Sequence, residues 1–521
     1  MEPVRRMTLP VLVVEEIKRD IIHGHLEAGE KLLSEKELSK RLAVGRPTVR
    51  EALRIMEGQG WIKFRFGEGA YVMSNAKISQ KTSAYLQKEE VLELLAYEIS
   101  QLEQEGKKVG DEIKQRFQRL KKKGSPQEIE EFYESLEDLD KRADYPYEEP
   151  SKIEEIKEKT PQKKITSLGI LNKDSLYQRI YGAWLGRCIG CLLGKPVEGW
   201  PRKEIESYLK ATNSYPLLDY FPYAPDKINN NEYNLNPSDK EATKGNISCM
   251  VRDDDLDYTI LNLKLIEGNG FEFSSEDVAQ EWLVNLPYRL TYTAERQAYA
   301  NLVRGLKPPA TAIYRNPFRE WVGAQIRADV FGYLTPANPS LAAELAYKDA
   351  SLSHSKNGIY GEMFVAAAIS AALVSESLEK VIDSGLSQVP ENSRLAEVVK
   401  NVRSWSRKLN SWQEVWQKVI KEYGHYHEVH TLPNLAFVLI ALIWGELDFT
   451  KTVSIAVMCG RDTDCNGATA GSILGALKGT KAIPEQLASP LNDRIKSAVF
   501  GYSDIKISAL AKRTWELVFE N

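Results

Sequence analysis

Two runs of aspartate, far apart in the chain, restrict its possible folds more than any other feature. Asp253, Asp254 and Asp255 lie in MVRDDDLDYT, and Asp462 and Asp464 lie in CGRDTDCNGAT. Carboxylates this close repel one another unless each is solvated or a cation stands between them. Apolar residues flank both runs: Leu256, Tyr258, Ile260 and Leu261 after the first, Ile455, Ala456, Val457 and Met458 before the second. Flanks of that kind argue against a solvated face. The donors are oxygens, which suit Mg²⁺, Mn²⁺ or Ca²⁺ and not zinc. A hard-metal centre drawn from both runs is expected, with two capping loops as the alternative.

At 521 residues the chain exceeds what one small core supports, so two or three domains are expected. A net charge of −4 excludes a chain that binds nucleic acid by bulk charge. No charged-then-apolar targeting pattern opens the sequence. The longest apolar run, Leu435–Trp444, is far short of the ~20 residues that span a bilayer. Five cysteines without a secretory signal suit reduced thiols in the cytoplasm, and no membrane segment is expected. Cys188 and Cys191 form a CxxC inside AWLGRCIGCLLG, an apolar glycine-rich helical stretch without a second CxxC. They read as small buried residues, not as ligands.

Residues 1–75 have the order of a small DNA-binding unit. Val14, Ile17, Ile21 and Ile22 mark a first helix, and Ser34 with Glu37 three residues later forms a capping-box pattern for a second. After Val44-Gly45, Pro47 suits a helix start, and Val49, Leu53 and Met56 line one face of a third helix. WIKFRF and AYVM around Gly-Glu-Gly then read as a two-stranded wing. The third helix turns Arg46, Thr48 and Arg50 outward at the end that enters a major groove, where they can meet phosphate or base edges. Lys36 is placed for a phosphate, and Gly67 and Gly69 allow the wing tip a close approach to the minor groove.

Residues 76–143 are rich in Glu, Lys and Gln, with Val91, Leu94, Leu95, Ile99 and Leu102 at helical spacing. They read as a helical connector, either a dimerisation element or a solvated spacer. Asp144–Lys164, with three prolines and alternating charge, reads as an extended arm. From Asp174 onward helical patterns dominate, with small residues recurring inside them, such as Gly467, Gly471 and Gly475. That is the pattern of an all-α domain over residues 144–521.

The segment LLSEKELSKRLAVGRPTVREALRIMEGQGWI with GEGAYV resembles the GntR family of bacterial transcriptional regulators. Gly45 stands where that family usually carries a small hydroxyl residue. The resemblance implies a winged helix-turn-helix that binds palindromic operator DNA as a homodimer. The remainder resembles the ADP-ribosylglycohydrolase family, through RIYGAWLGRCIGCLLGKPVEGW, VRDDDLDYT, the block NPFREWVGAQ to YGEMFVAAAI, and AVMCGRDTDCNGATAGSILGAL. It implies an all-α fold and a site holding two Mg²⁺ or Mn²⁺ ions.

Carried over by position, the metal-site residues are Asp253, Asp254, Asp255, Asp462, Asp464 and Cys465. Cys465 stands where a threonine typically follows, and Cys191 where the first motif usually has aspartate. Glu198, Asp254 and Asp462 are the implied catalytic groups. His354, Asn357, Gly358, His430, Asn434 and Arg461 are the implied substrate contacts. The whole implies a DNA-binding regulator joined to a metal-dependent hydrolase that cleaves or senses an ADP-ribosyl or related ribosyl compound. Two alternatives stay open: an inactive hydrolase fold serving as an effector sensor, and a hydrolase of nucleosides or other glycosides.

Overall fold

A computed structural model describes residues 29–42, 44–58, 61–65, 69–72, 88–161, 172–226 and 237–520, with Val13, Val14, Ile17, Ile21, Leu26, Tyr233 and Leu235 singly. Val14, Ile17 and Ile21 are buried, while Ile22 and the wing-tip Gly67 fall outside the described residues. The chain divides into two compact units. One comprises Met1–Pro146 with Ser275–Arg319 and Leu352–His354; the other comprises Tyr147–Ser274, Glu320–Ser351 and Ser355–Asn521.

In the first unit, helix α1 (Glu35–Arg41) begins at the expected capping box. The Glu37 amide donates to Ser34 Oγ at 3.3 Å, and the Ser34 amide donates to the Glu37 carboxylate at 2.8 Å. Helix α2 (Arg46–Gly58) buries Val49, Leu53 and Met56, as the spacing requires. Strands β1 (Ile62–Arg65) and β2 (Gly69–Val72) pair antiparallel with Ile62 opposite Val72. Together they form a winged helix-turn-helix. Helices α3 (Lys88–Gln104), α4 (Asp111–Lys123) and α5 (Pro126–Ser135) share a core of Leu95, Leu102, Phe117, Leu120, Ile129 and Phe132. The connector therefore has a packed interior of its own. Buried Arg319 pairs with Glu98 at 2.9 Å and Glu105 at 2.7 Å, and the Trp61 indole bonds the Tyr299 hydroxyl. Residues 275–319 thus complete the packing of this unit.

Among its described residues the second unit is helical apart from a small hairpin of Arg494–Lys496 with Asp504–Lys506. Three-residue strands are too short to leave an alternating pattern. The expected arm is anchored: buried Glu149 accepts from the Arg394 guanidinium at 2.7 Å, and Ile153–Lys159 is a helix. A carboxylate and a guanidinium buried as a hydrogen-bonded pair hold that segment in place. Among the described residues no helix is long and apolar enough to cross a membrane.

The centre of this unit is a pair of helices, α6 (Lys173–Gly194) and, later in the chain, one over Thr463–Lys478. Of the helices between them in sequence, three bear on the site and are labelled α7 (Asp254–Asn269), α8 (Asn357–Ala372) and α9 (Thr431–Trp444); the helix over Thr463–Lys478 is labelled α10. Glycines spaced by four on α6 meet glycines spaced by four on α10, backbone against backbone. A Cβ placed on Gly190 would stand 1.9 Å from the Gly467 carbonyl oxygen, and one on Gly186 2.2 Å from that of Gly471. Gly182 faces Gly475 in the same way, and Gly194 faces Thr463. Cys188 and Cys191 are buried in α6, as expected.

Gly190→Ala therefore lowers stability by about 3 kcal/mol, the scale of overpacking against rigid backbone. Gly268→Ala is the control: its Cβ would meet nothing within 4 Å inside a helix, so the change is neutral or slightly stabilising. Calorimetric melting of both variants measures the contrast, and equal midpoints would rule out the tight contact.

Candidate functional site

The α6–α10 contact brings one end of each helix together. The Thr463 hydroxyl donates to the Gly194 carbonyl at 2.8 Å. Beyond Gly194 a short turn, Lys195–Val197, leads to Glu198, which is exposed. Asp462 stands at the N-cap of α10, and Asp253 caps α7 by accepting from the Asp255 amide at 3.0 Å. Both aspartate runs thus sit at helix N-termini, where unpaired amides favour negative charge. Asp253 caps its helix by side chain and Asp462 makes no such bond, and the two runs meet. Ligand atoms of Asp255, Asp464 and Cys465 lie within 4.8 Å of one another, as do those of Glu198, Asp462 and Asp464, and those of Cys191, Asp253 and Asp255.

Asp253, Asp255, Asp462 and Asp464 are buried, and Asp254 is half-buried. Two cations enter the cluster. Lys195 Nζ lies 2.5 Å from Asp253 Oδ2, and fully buried Arg187 lies 3.2 Å from Asp255 Oδ1 while also pairing with Asp329 at 2.8 Å. Burial is the largest influence and works to raise the Asp253 carboxyl, but the Lys195 charge and hydrogen bond, the Asp255 amide and the Arg252 charge together hold that group below the usual range. Burial raises the others. The Asp254 and Asp255 carboxyls stand well above the usual value, with the Asp253 charge adding to the rise. Asp462 is raised well above by burial and then by the neighbouring Asp464 charge, and Asp464 itself is raised to about 6. The Asp464 charge, ahead of desolvation, pushes the Glu198 carboxyl up.

Six carboxyls share this space with Lys195 and Arg187, too few cations to keep all of them ionised, and Asp464 Oδ1 is buried with no hydrogen-bond partner among the described residues. An orphaned carboxylate oxygen amid oxygen donors fits a hard divalent cation. Cys465 fits one less well. Its Sγ donates to Asp255 Oδ2 at 3.1 Å, and burial beside carboxylates keeps it a thiol.

The remaining residues take varied positions. Arg461 turns its guanidinium to the Tyr426 and Gly424 carbonyls, at 3.5 and 3.3 Å. His430 caps α9, accepting from the Leu432 amide at 3.2 Å, and Asn434 accepts from Asn466 at 2.8 Å, linking α9 to α10. Asn357 donates to buried Glu149 and Glu320 at 2.8 and 2.7 Å, so its amide is committed to that ion cluster. Gly358, in the first turn of α8, donates its amide to the Ser355 carbonyl. His354 belongs to the first unit, where its Nδ1 lies 2.8 Å from the Ser353 hydroxyl and its Nε2 3.9 Å from Glu295.

On the winged helix, Lys36, Arg46 and Gly69 are exposed and Thr48 half-buried, and exposed Arg50 pairs with Glu35 at 2.8 Å. Reasoning from sequence missed Arg187 and Lys195. A lone arginine between glycines spaced by four was the available signal for the first.

A carboxyl whose folded value exceeds its unfolded one binds its proton more tightly in the folded chain. Its stabilising contribution is whole below its unfolded value, about pH 4, and is lost as pH rises through the folded value. For Asp464 that window runs from about pH 4 to about 6, and Asp254, Asp255 and Asp462 extend it upward. In EDTA the melting midpoint should therefore fall from pH 5 to pH 8, and Mn²⁺ should restore it at pH 8 far more than at pH 5. Differential scanning calorimetry reads both effects, and a midpoint indifferent to Mn²⁺ at pH 8 would remove the cation site.

Residues 172–520 match the family model for ADP-ribosylglycohydrolase, and residues 11–72 match that for bacterial regulatory proteins of the gntR family. The uncharacterized protein YegU of Escherichia coli (strain K12) is 26% identical over 335 residues, covering 60% of this chain and 92% of that protein. The HTH-type transcriptional regulator Mce2R of Mycobacterium tuberculosis (strain CDC 1551 / Oshkosh) is 40% identical over 68 residues, covering 13% of this chain and 28% of the regulator. The HTH-type transcriptional repressor NanR of Enterobacter sp. (strain 638) is 40% identical over 70 residues, covering 13% and 27%. The chain thus spans little more than a quarter of those two regulators. A chain of a solved ADP-ribosylglycohydrolase-related protein complex aligns with a TM-score of 0.40 at 19% identity, covering 66% of this chain and 99% of that one. The chain belongs to the ADP-ribosylglycohydrolase family and carries a GntR-type DNA-binding unit at its N-terminal end.

Proposed function

We propose that the carboxylate cluster is a divalent-metal centre that hydrolyses an ADP-ribosyl or related ribosyl compound, and that this compound governs operator binding by the winged helix. The observation that carries it is the convergence of both aspartate runs around the unpartnered Asp464 oxygen. Asp254, Asp255, Asp462 and Asp464 would hold Mg²⁺ or Mn²⁺, two ions by family resemblance. Such ions supply a water of lowered pKa and a clamp for vicinal hydroxyls.

The chain's own groups do the rest. Glu198, exposed and kept protonated by the Asp464 charge, donates its proton to the departing oxygen or nitrogen as the bond to the anomeric carbon breaks. The aspartates face the positive charge that develops on the ribose ring. Lys195 holds Asp253 ionised, and the Cys465 thiol fixes one oxygen of Asp255.

Turnover of ADP-ribosyl-arginine or O-acetyl-ADP-ribose with Mn²⁺ is the test. Glu198→Gln should lower kcat by about 10²–10⁴-fold, the range for losing a general acid, and Asp462→Asn should abolish turnover. Turnover that is indifferent to EDTA would overturn the assignment. A second reading, a ligand sensor without turnover, is favoured by the thiol of Cys465 at a ligand position and by Lys195 on Asp253. It requires Mn²⁺-dependent ADP-ribose binding with no product formed.

The DNA reading rests on α2, where exposed Arg46 stands at the helix start. Arg46→Ala should weaken operator binding about 10–100-fold, as for loss of one arginine contact to guanine. Gel-shift titration measures this, with sedimentation of the complex to check for the homodimer. Unchanged affinity in Arg46→Ala and Arg50→Ala together would sink it.

A further inference from the structure

A cavity of about 290 Å³ opens where the turn carrying Glu198 and the second aspartate run leave the carboxylate cluster. Its lining begins at Gly199, the residue after Glu198, and includes Arg461, the residue before Asp462. The two segments are joined as a short antiparallel bridge. The Gly199 amide donates to the Arg461 carbonyl at 2.8 Å, and the Arg461 amide donates to that of Trp200 at 3.0 Å. Arg461 holds a left-handed backbone, φ 70°, which costs a non-glycine residue about 1–3 kcal/mol and persists only where the surroundings impose it.

The cavity wall is cationic. Arg202, Lys203 and Arg461 line it against one carboxylate, the exposed Glu428. Arg202 lies against two tryptophan faces, its guanidinium carbon 5.0 Å from the Trp412 ring and 5.3 Å from the Trp416 ring. Trp416 is itself fixed by donating to the Cys459 carbonyl at 2.9 Å. Arg202 reaches Glu206 at 3.4 Å, yet its Nε is buried with no hydrogen-bond partner among the described residues. A buried unpaired guanidinium N–H is costly unless something accepts from it. Arg461 offers its own N–H groups only to carbonyls at 3.3 and 3.5 Å.

We propose that this cavity is an anion subsite that receives a phosphate or carboxylate group on the leaving-group side of the ligand, beyond Glu198. The proposal rests on the ribosyl reading for the direction of the ligand: Glu198 faces the departing atom, and the cavity starts one residue further on. It narrows the substrate class to ribosyl compounds whose departing portion is anionic. Arginine and lysine together recognise such groups through paired and single hydrogen bonds.

The experiment is isothermal titration of the full-length chain with inorganic pyrophosphate in EDTA, and separately with ADP-ribose in Mn²⁺. Lys203→Glu, at an exposed position, and Arg461→Gln should each weaken pyrophosphate at least tenfold with the melting midpoint unchanged. Asp462→Asn should leave pyrophosphate binding as it is. Pyrophosphate that binds no variant, or binds all equally, overturns the subsite whatever ADP-ribose does. If pyrophosphate behaves as expected and ADP-ribose fails to bind in Mn²⁺, the subsite stands as an anion site and the ribosyl reading falls.

Discussion

The contact on which the second unit depends is made almost without side chains. Along α6 and α10, glycine meets glycine at Gly182–Gly475, Gly186–Gly471 and Gly190–Gly467, closely enough that a methyl group at any of them would strike a carbonyl. Helices this near gain dispersion along their whole length, each atom pair contributing little and the sum a great deal. The register has a second effect. It sets Gly194 beside Thr463, so the turn carrying Lys195 and Glu198 ends against the start of α10, where Asp462 and Asp464 stand. A shift by one turn on either helix would separate these groups by about 5 Å.

Burial then makes the cluster what it is. Aspartates packed against apolar helices are driven toward protonation, and the protein counters this unevenly. Arg187 is the main counterweight on the inner side, donating to the Asp255 carbonyl and carboxylate, to Asp329, to Thr259 and to the Ile326 carbonyl. Each nitrogen of that guanidinium is engaged, by acceptors from two stretches of the chain, 255–259 and 326–329. A buried ion pair of this kind adds little net stability against an apolar replacement, but it cannot lose one member cheaply. Its value lies in holding α7 at a fixed rotation, so that Asp253 and Asp255 bring ligand atoms within 4.8 Å of each other. Asp462 and Asp464 lack such partners, and the electrostatic stress collects there.

Local signals in the sequence carried a good part of this. Ser34 and Glu37 announced the capping box, Val49, Leu53 and Met56 the buried face of α2, and the glycines around 467–475 a helix that could be approached closely. The apolar flanks of the aspartate runs said that both were buried, and their repulsion pointed to a cation shared between them. What stayed hidden depends on partners distant in the chain. Nothing near Glu149 foretells Arg394, so the anchored segment reads in the sequence as an extended arm. Asn357 sits in a glycine-rich stretch that suggests a ligand loop, yet it serves the Glu149–Glu320–Arg394 ion cluster. Arg461 carries a charge beside two aspartates and turns from them to carbonyls, because its left-handed backbone aims it elsewhere.

The pairing of Glu98 and Glu105 with Arg319 has a consequence for how the protein is made. Residues 1–146 emerge from the ribosome before Arg319, with two carboxylates destined for a dry interior and no guanidinium yet to meet them. At the usual pace of synthesis Arg319 follows Pro146 by roughly ten to thirty seconds. During that interval the connector helices can form, but their polar seam stays open to water. The nascent reader of DNA completes its packing only after much of the hydrolase-family region has been translated.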